Sequence, residues 1–127
     1  MKIAVLIAVG LTCVYSTNAL ASQYKFVAMD SSHETKLCIH AGANQAKKMK
    51  VTLRRMGIHE RKANINSIRC NDVSPAKFAH EFGANETFNY LNKLSFGKNK
   101  VKSSVTIKDV AQNQPKPAKV VYVSAGR

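Results

Sequence analysis

The sequence predicts a mainly α domain, with one long and two short helices stapled by one disulfide and a short strand or C-terminal β-hairpin contributed by the chain ends. Three observations carry that reading. An apolar stripe at helical spacing runs from Cys38 to Met56, helix starts follow at Ser74-Pro75 and Asn85, and Cys38 and Cys70 form an even pair once Cys13 is set aside with an export leader.

The leader is expected over residues 1–21. Met1 and Lys2 make a short positive start, residues 3–14 are apolar apart from Gly10 and Thr12, and Ala19-Leu20-Ala21 offers the small residues a signal peptidase needs before Ser22. The apolar run is shorter than the roughly 20 residues that span a bilayer. Thr12 before Cys13 does not fit the small residue that precedes a lipidated cysteine. The expected layout is a signal peptide over 1–21, a small helical disulfide domain over 22–97 and a basic tail or hairpin over 98–127, in the periplasm or outside the cell.

Removing 21 of 127 residues leaves 106, one domain near the lower end of what buries a good core. Lys2 leaves with the leader, so 20 Lys and Arg become 19 against 7 Asp and Glu, a formal charge of +12. Such a field attracts polyanions and is silent about fold. In an oxidising compartment Cys38 and Cys70 are expected to pair, restricting the unfolded chain by roughly 3 to 4 kcal/mol. A metal or redox pair is the weaker reading, because there is no C-x-x-C and no histidine at ligand spacing.

Tyr24 to Met29 reads as a strand, and Ser31 followed by Glu34 as a capping box opening a helix. Cys38, Gly42, Ala46, Met49, Leu53 and Met56 recur at steps of four and three until Gly57, which predicts the long helix. Its other face carries Lys36, Lys47, Lys48, Lys50, Arg54 and Arg55. Cations in the last turns complement the helix dipole, so a plain solvated face and a polyanion-binding face both fit. Ile65 and Ile68 read as core anchors, and Cys70-Asn71-Asp72 as a turn. Ser74 caps a second helix with Pro75 at its first position, ending at Gly83, and Asn85 caps a third carrying Phe88, Leu91 and Leu94. Phe78, Phe82, Phe88 and Tyr90 are expected to pack on the Met49/Leu53 stripe.

After Gly97 the chain turns basic, with Lys98, Lys100, Lys102, Lys108, Lys116, Lys119 and Arg127 against Asp109. Val101, Ser103, Val105 and Ile107 alternate with polar residues at the period of a strand, and Val120 to Val123 is a second β-prone run. A hairpin between the two and a flexible basic tail remain equal alternatives, since a lone hairpin is marginal in water.

Chemistry leaves little trace. His59, Glu60, Arg61 and Lys62 have the residue types of a small secreted ribonuclease, but adjacent residues point apart. His33 and His40 are seven apart, too far along a helix to share a metal. Neither a nucleophile elbow, a zincin motif nor a phosphate-cradling glycine loop occurs, so no cofactor and no metal ion are expected. Asn85-Glu86-Thr87 fits the glycosylation triplet, though its asparagine is better read as a helix cap.

The runs FVAMDSSHETKLCIHA, INSIRCND and FAHEFGANETFNYLNK resemble a family of short exported gamma-proteobacterial proteins known as a domain of unknown function, over about residues 26–93. The resemblance implies export and a paired cysteine and brings no activity; the tail from 98 onward lies outside it. The leading expectation is a non-enzymatic binding module that meets a polyanion (nucleic acid, lipopolysaccharide or anionic lipid) or an acidic protein. Lys47, Lys48, Lys50, Arg54, Arg55, Lys98, Lys100 and Lys102 would carry the contact. A small secreted nuclease and a structural or membrane-associated envelope protein are the alternatives.

Overall fold

The computed structural model describes residues 23–58, 63–102 and 117–127. The expected leader, the His59 to Lys62 cluster and most of the alternating run after Val101 lie outside these residues. The elements are β1 (Tyr24–Ala28), α1 (His33–Gly42), α2 (Ala46–Arg55), a 3-10 turn (Ala63–Ser67), β2 (Arg69–Cys70), α3 (Pro75–Glu81), α4 (Asn85–Leu94), a second 3-10 turn (Gly97–Asn99), β3 (Lys119–Val123) and β4 (Ala125–Gly126).

Buried α1 is the hub, touching α2, α3, α4 and strands from both sheets. Thr35, Leu37, Cys38 and Ala41 of α1 are fully buried, and Cys38 is joined to Cys70 with 5.5 Å between the Cα atoms. The disulfide therefore ties the central helix to β2. Its cysteines are themselves core residues, beside Met49 and Leu53 of α2, Ile65 and Ile68, Phe78 of α3, Leu91 of α4 and Val123 of β3.

The start of α1 differs from expectation by one residue. Ser32, not Ser31, is the cap, its hydroxyl accepting from the Thr35 amide at 3.1 Å. Asp30 completes the arrangement from upstream, accepting from the Ser32 amide at 2.8 Å and the Thr35 hydroxyl at 3.0 Å. The reciprocal acid thus precedes the cap, and Glu34 instead pairs with Arg127 at 2.9 Å.

The single long helix is corrected to two. α1 ends at Gly42 and α2 begins at Ala46, with Asn44 between them in the left-handed region at φ 56°. Asn44 Oδ1 accepts the amides of Glu86 and Thr87 at 2.9 and 3.2 Å, and the Thr87 hydroxyl donates to Ala41 O at 2.6 Å. The chain breaks its helix there because the freed asparagine satisfies the first-turn amides of α4. Asn85 is accordingly not a cap: it is the first residue of α4, and the cap position, Ala84, has no side chain able to serve. The stripe survives the break because both helices face one core, with Cys38, Ala46, Met49 and Leu53 all buried.

α3 follows expectation, with Ser74 accepting from the Lys77 amide and Pro75 at the first position. The turn after Cys70 holds Asn71 and Asp72 at φ 45° and 69°, while Cys70 and Val73 exchange backbone hydrogen bonds of 2.7 and 3.0 Å. Positive φ at both central residues is a primed hairpin turn, for which Asn and Asp are suited.

No hairpin forms at the carboxyl end among the described residues. β3 lies parallel to β1, Phe26 beside Val121 and Val27 beside Tyr122, and β4 pairs antiparallel with β2. Val123 is fully buried, so the end of the chain shares the core of the helices. Asn71 fixes it there, donating to Tyr122 O and accepting from the Ser124 amide, each at 2.9 Å. The aromatic cluster is also built around β1 rather than α2. Phe26 packs edge-on to Phe82 and tilted to Phe78, and Tyr24 meets Phe82 at 4.9 Å between centroids.

Candidate functional site

The break at Asn44 changes where the expected cations sit. Lys47 and Lys48 lie in the first turn of α2, Lys50 in its middle, and Arg54 and Arg55 in its last turn. The arginines complement the negative end of the helix dipole, but the two lysines stand at its positive end, which disfavours cations. The start of α2 has no side-chain cap and no acidic residue in its first turn. Dipole matching therefore explains two of the five cations and counts against two others.

Lys47, Val51 and Arg55 form one i, i+4, i+8 row, with Lys48 and Thr52 as the neighbouring row. Together with His40 in the last turn of α1 they line a shallow groove of about 320 Å³. Half-buried Val51 and buried Thr52 are its less exposed lining residues on α2, the Thr52 hydroxyl donating to Lys48 O at 3.1 Å. His40 Nδ1 lies 2.9 Å from Gln45 Oε1. A carboxamide oxygen only accepts, so Nδ1 carries the proton and the ring is held by the residue that starts α2. A second hollow of about 330 Å³, lined by Asn44, Gln45, Ala46, Lys47, Lys48 and Glu86, adjoins the start of the helix.

All five α2 cations are exposed. Among the described residues, Lys47, Lys48, Arg54 and Arg55 have no carboxylate within ion-pair distance, and Lys50 lies over the Tyr90 ring at 4.6 Å. Lys98, Lys100 and Lys102 are exposed as well, on a segment that is firmly held. Asn92 brackets Val101 with two hydrogen bonds of 2.8 and 3.0 Å, Ser74 donates to Asn99 O, and Asn99 donates to Asn66. α4 is the element the two basic groups share, through Tyr90 on one side and Asn92 on the other. Among the described residues no hydrogen bond joins the tail lysines to those of α2.

In the sequence His40 stands out only for its spacing from His33, and Gln45 carries no signal. Both become site residues because the turn at Asn44 folds α2 back beside the end of α1. Among the described residues no group of three or more His, Cys, Asp or Glu could hold a metal ion, and no helix is long and apolar enough to cross a membrane. The Asn85 triplet is also accounted for locally, since the Thr87 hydroxyl is buried and donates to Ala41 O and Ala84 O.

The fold and this face define a small disulfide-stapled α domain with one cationic helix surface. The chain belongs to the family described as a protein of unknown function, DUF3718, whose model matches residues 37–112. That span contains both disulfide cysteines, all of α2, α3 and α4, and Lys98, Lys100 and Lys102, so the match begins at 37 rather than near 26, extends beyond the boundary near 93 and includes the start of the basic tail. No curated protein and no solved structure matches the chain.

Proposed function

We propose that the protein is an exported, non-enzymatic module that binds a polyanion through the exposed face of α2. The observation that carries this reading is the Lys47, Lys48 and Arg55 groove, in which two lysines hold positions that the helix dipole disfavours. Cations placed against the local electrostatic preference, with no carboxylate within ion-pair distance among the described residues, suit a partner outside the chain. The disulfide supports export, because such bonds persist in oxidising compartments, and so does the leader-like amino terminus.

Binding to anionic vesicles and to single-stranded nucleic acid, followed as salt is raised, tests the reading. Release of counterions makes the logarithm of affinity fall linearly with the logarithm of salt, and each cation removed lowers the slope by about 0.7 to 1. Removing Lys47, Lys48 and Arg55 together should flatten the dependence. A slope unchanged in that triple variant, or no binding at low salt, would overturn the reading.

A further inference from the structure

We propose that the groove between the last turn of α1 and the α2 face is a site for phosphate groups, with His40 as one of its contacts. The proposal rests on the polyanion reading and names its chemistry. A bare cationic helix would hold any anion by field alone. This groove adds a ring whose position is set: Gln45 Oε1 accepts from His40 Nδ1 at 2.9 Å, leaving Nε2 as the nitrogen for a ligand. Half-buried His40 closes the side that α2 does not supply, and the row Lys47 to Arg55 runs along the groove for about 12 Å at the helical rise, beside Lys48 and Thr52. Point-charge lysines, a planar guanidinium and an imidazolium that donates from Nε2 are suited to the several acceptor oxygens of a phosphate.

Histidine gives the site a signature that lysine and arginine cannot. Its charge changes between about pH 5 and 8, and a bound anion favours the imidazolium, so phosphate binding should draw in a proton. The other charged side chains lining the groove are Lys47, Lys48 and Arg55. Lys36 is one turn back on α1, and Glu86 of α4 lines the adjoining hollow. Lys77, His80 and Glu81 of α3, Lys25 of β1, and the Glu34 to Arg127 pair at the far end of α1 line neither.

The experiment uses the full chain with inorganic polyphosphate, whose internal groups keep one fixed charge across the pH range, and in parallel with phosphatidylglycerol vesicles. Polyphosphate affinity should rise by up to about tenfold from pH 7.5 to 5.5, the effect of one pK unit of coupling. His40→Gln should lose the rise between pH 7.5 and 5.5, while His80→Gln should keep it. Arg55→Ala should weaken binding at every pH. Vesicle binding with the same His40-dependent profile would identify lipid headgroups as a source of the phosphate, and a profile confined to polyphosphate would identify free phosphate chains. Salt-sensitive binding whose pH profile is flat, or survives His40→Gln, would overturn this site and leave the polyanion reading standing. No salt-sensitive binding at any pH would overturn both.

Discussion

The carboxamide oxygen of Asn44 accepts the backbone amide of Glu86 at 2.9 Å, across 42 residues of sequence. One side chain in the α1–α2 turn thus caps α4, and Thr87 returns the connection by donating to Ala41 O at 2.6 Å. The α1–α2 and α3–α4 hairpins are locked together at their turns.

Substitution of Asn44 should separate its two roles. Asn44→Gly keeps the left-handed turn and loses the cap, costing about 1 kcal/mol. Asn44→Ala loses the cap and adds backbone strain, for a total of about 2 kcal/mol or more. Asn44→Asp keeps an acceptor and should cost least. Urea unfolding should give that order, and equal losses for Gly and Ala would show that the turn conformation is immaterial.

Gly42 is required by packing. A Cβ there would lie 2.8 Å from ring carbons of both Phe26 and Phe78. Gly42→Ala should destabilise by about 1 to 3 kcal/mol, since neither ring can withdraw without disturbing the aromatic cluster. Near-ultraviolet circular dichroism should change with it, whereas an unperturbed spectrum and midpoint would show slack in the core.

Acid should loosen the start of α1. Ser32, through its side chain and its amide, and then the Thr35 hydroxyl hold the Asp30 carboxyl below its ordinary value of 3.8. A lowered folded-state pKa contributes stability that is present above that ordinary value and lost as pH falls through the lower one. Asp30→Asn should remove this part of the acid-induced loss, read by comparing unfolding midpoints at pH 6 and in the acid range below 3.8. Parallel profiles for the two proteins would refute the coupling.

Lys47 should show opposite effects on stability and binding. Placing an acid at the positive end of α2 by Lys47→Glu should raise helix stability by about 0.5 kcal/mol and weaken polyanion affinity. Thermal unfolding and a vesicle titration on the same preparation check both signs. A lysine kept for structure alone would give loss of stability instead.

Much of the fold was legible in local pattern. A strand from Tyr24, expected to Met29 and ending at Ala28, Ser74-Pro75 as a helix start, Ile65 and Ile68 as anchors and the turn after Cys70 all rest on neighbours a few residues apart. Gly42, Ala46, Met49 and Leu53 kept their common inward face even though the helix carrying them is broken. Periodicity reports which side of a segment is buried, and two helices joined by a short turn can preserve it as well as one.

The site was less legible for the same reason. The α2 cations could be named from the sequence, but their relation to the helix dipole reversed at Lys47 and Lys48 once Asn44 ended α1. His40 and Gln45 became partners only through that turn.

The sequence by itself determined the cysteine pair, the basic balance, the buried faces and most element starts, because each depends on composition or on residues within one or two turns. Only the tertiary structure decided that Asn44 breaks the long helix to cap α4, that β3 lies beside β1, and that His40 meets the Lys47 to Arg55 row. Those choices depend on contacts between segments far apart in the chain. A lone helix cap or strand edge has no local cue to its partner, and the pairing is chosen by which arrangement buries the core while satisfying its backbone groups.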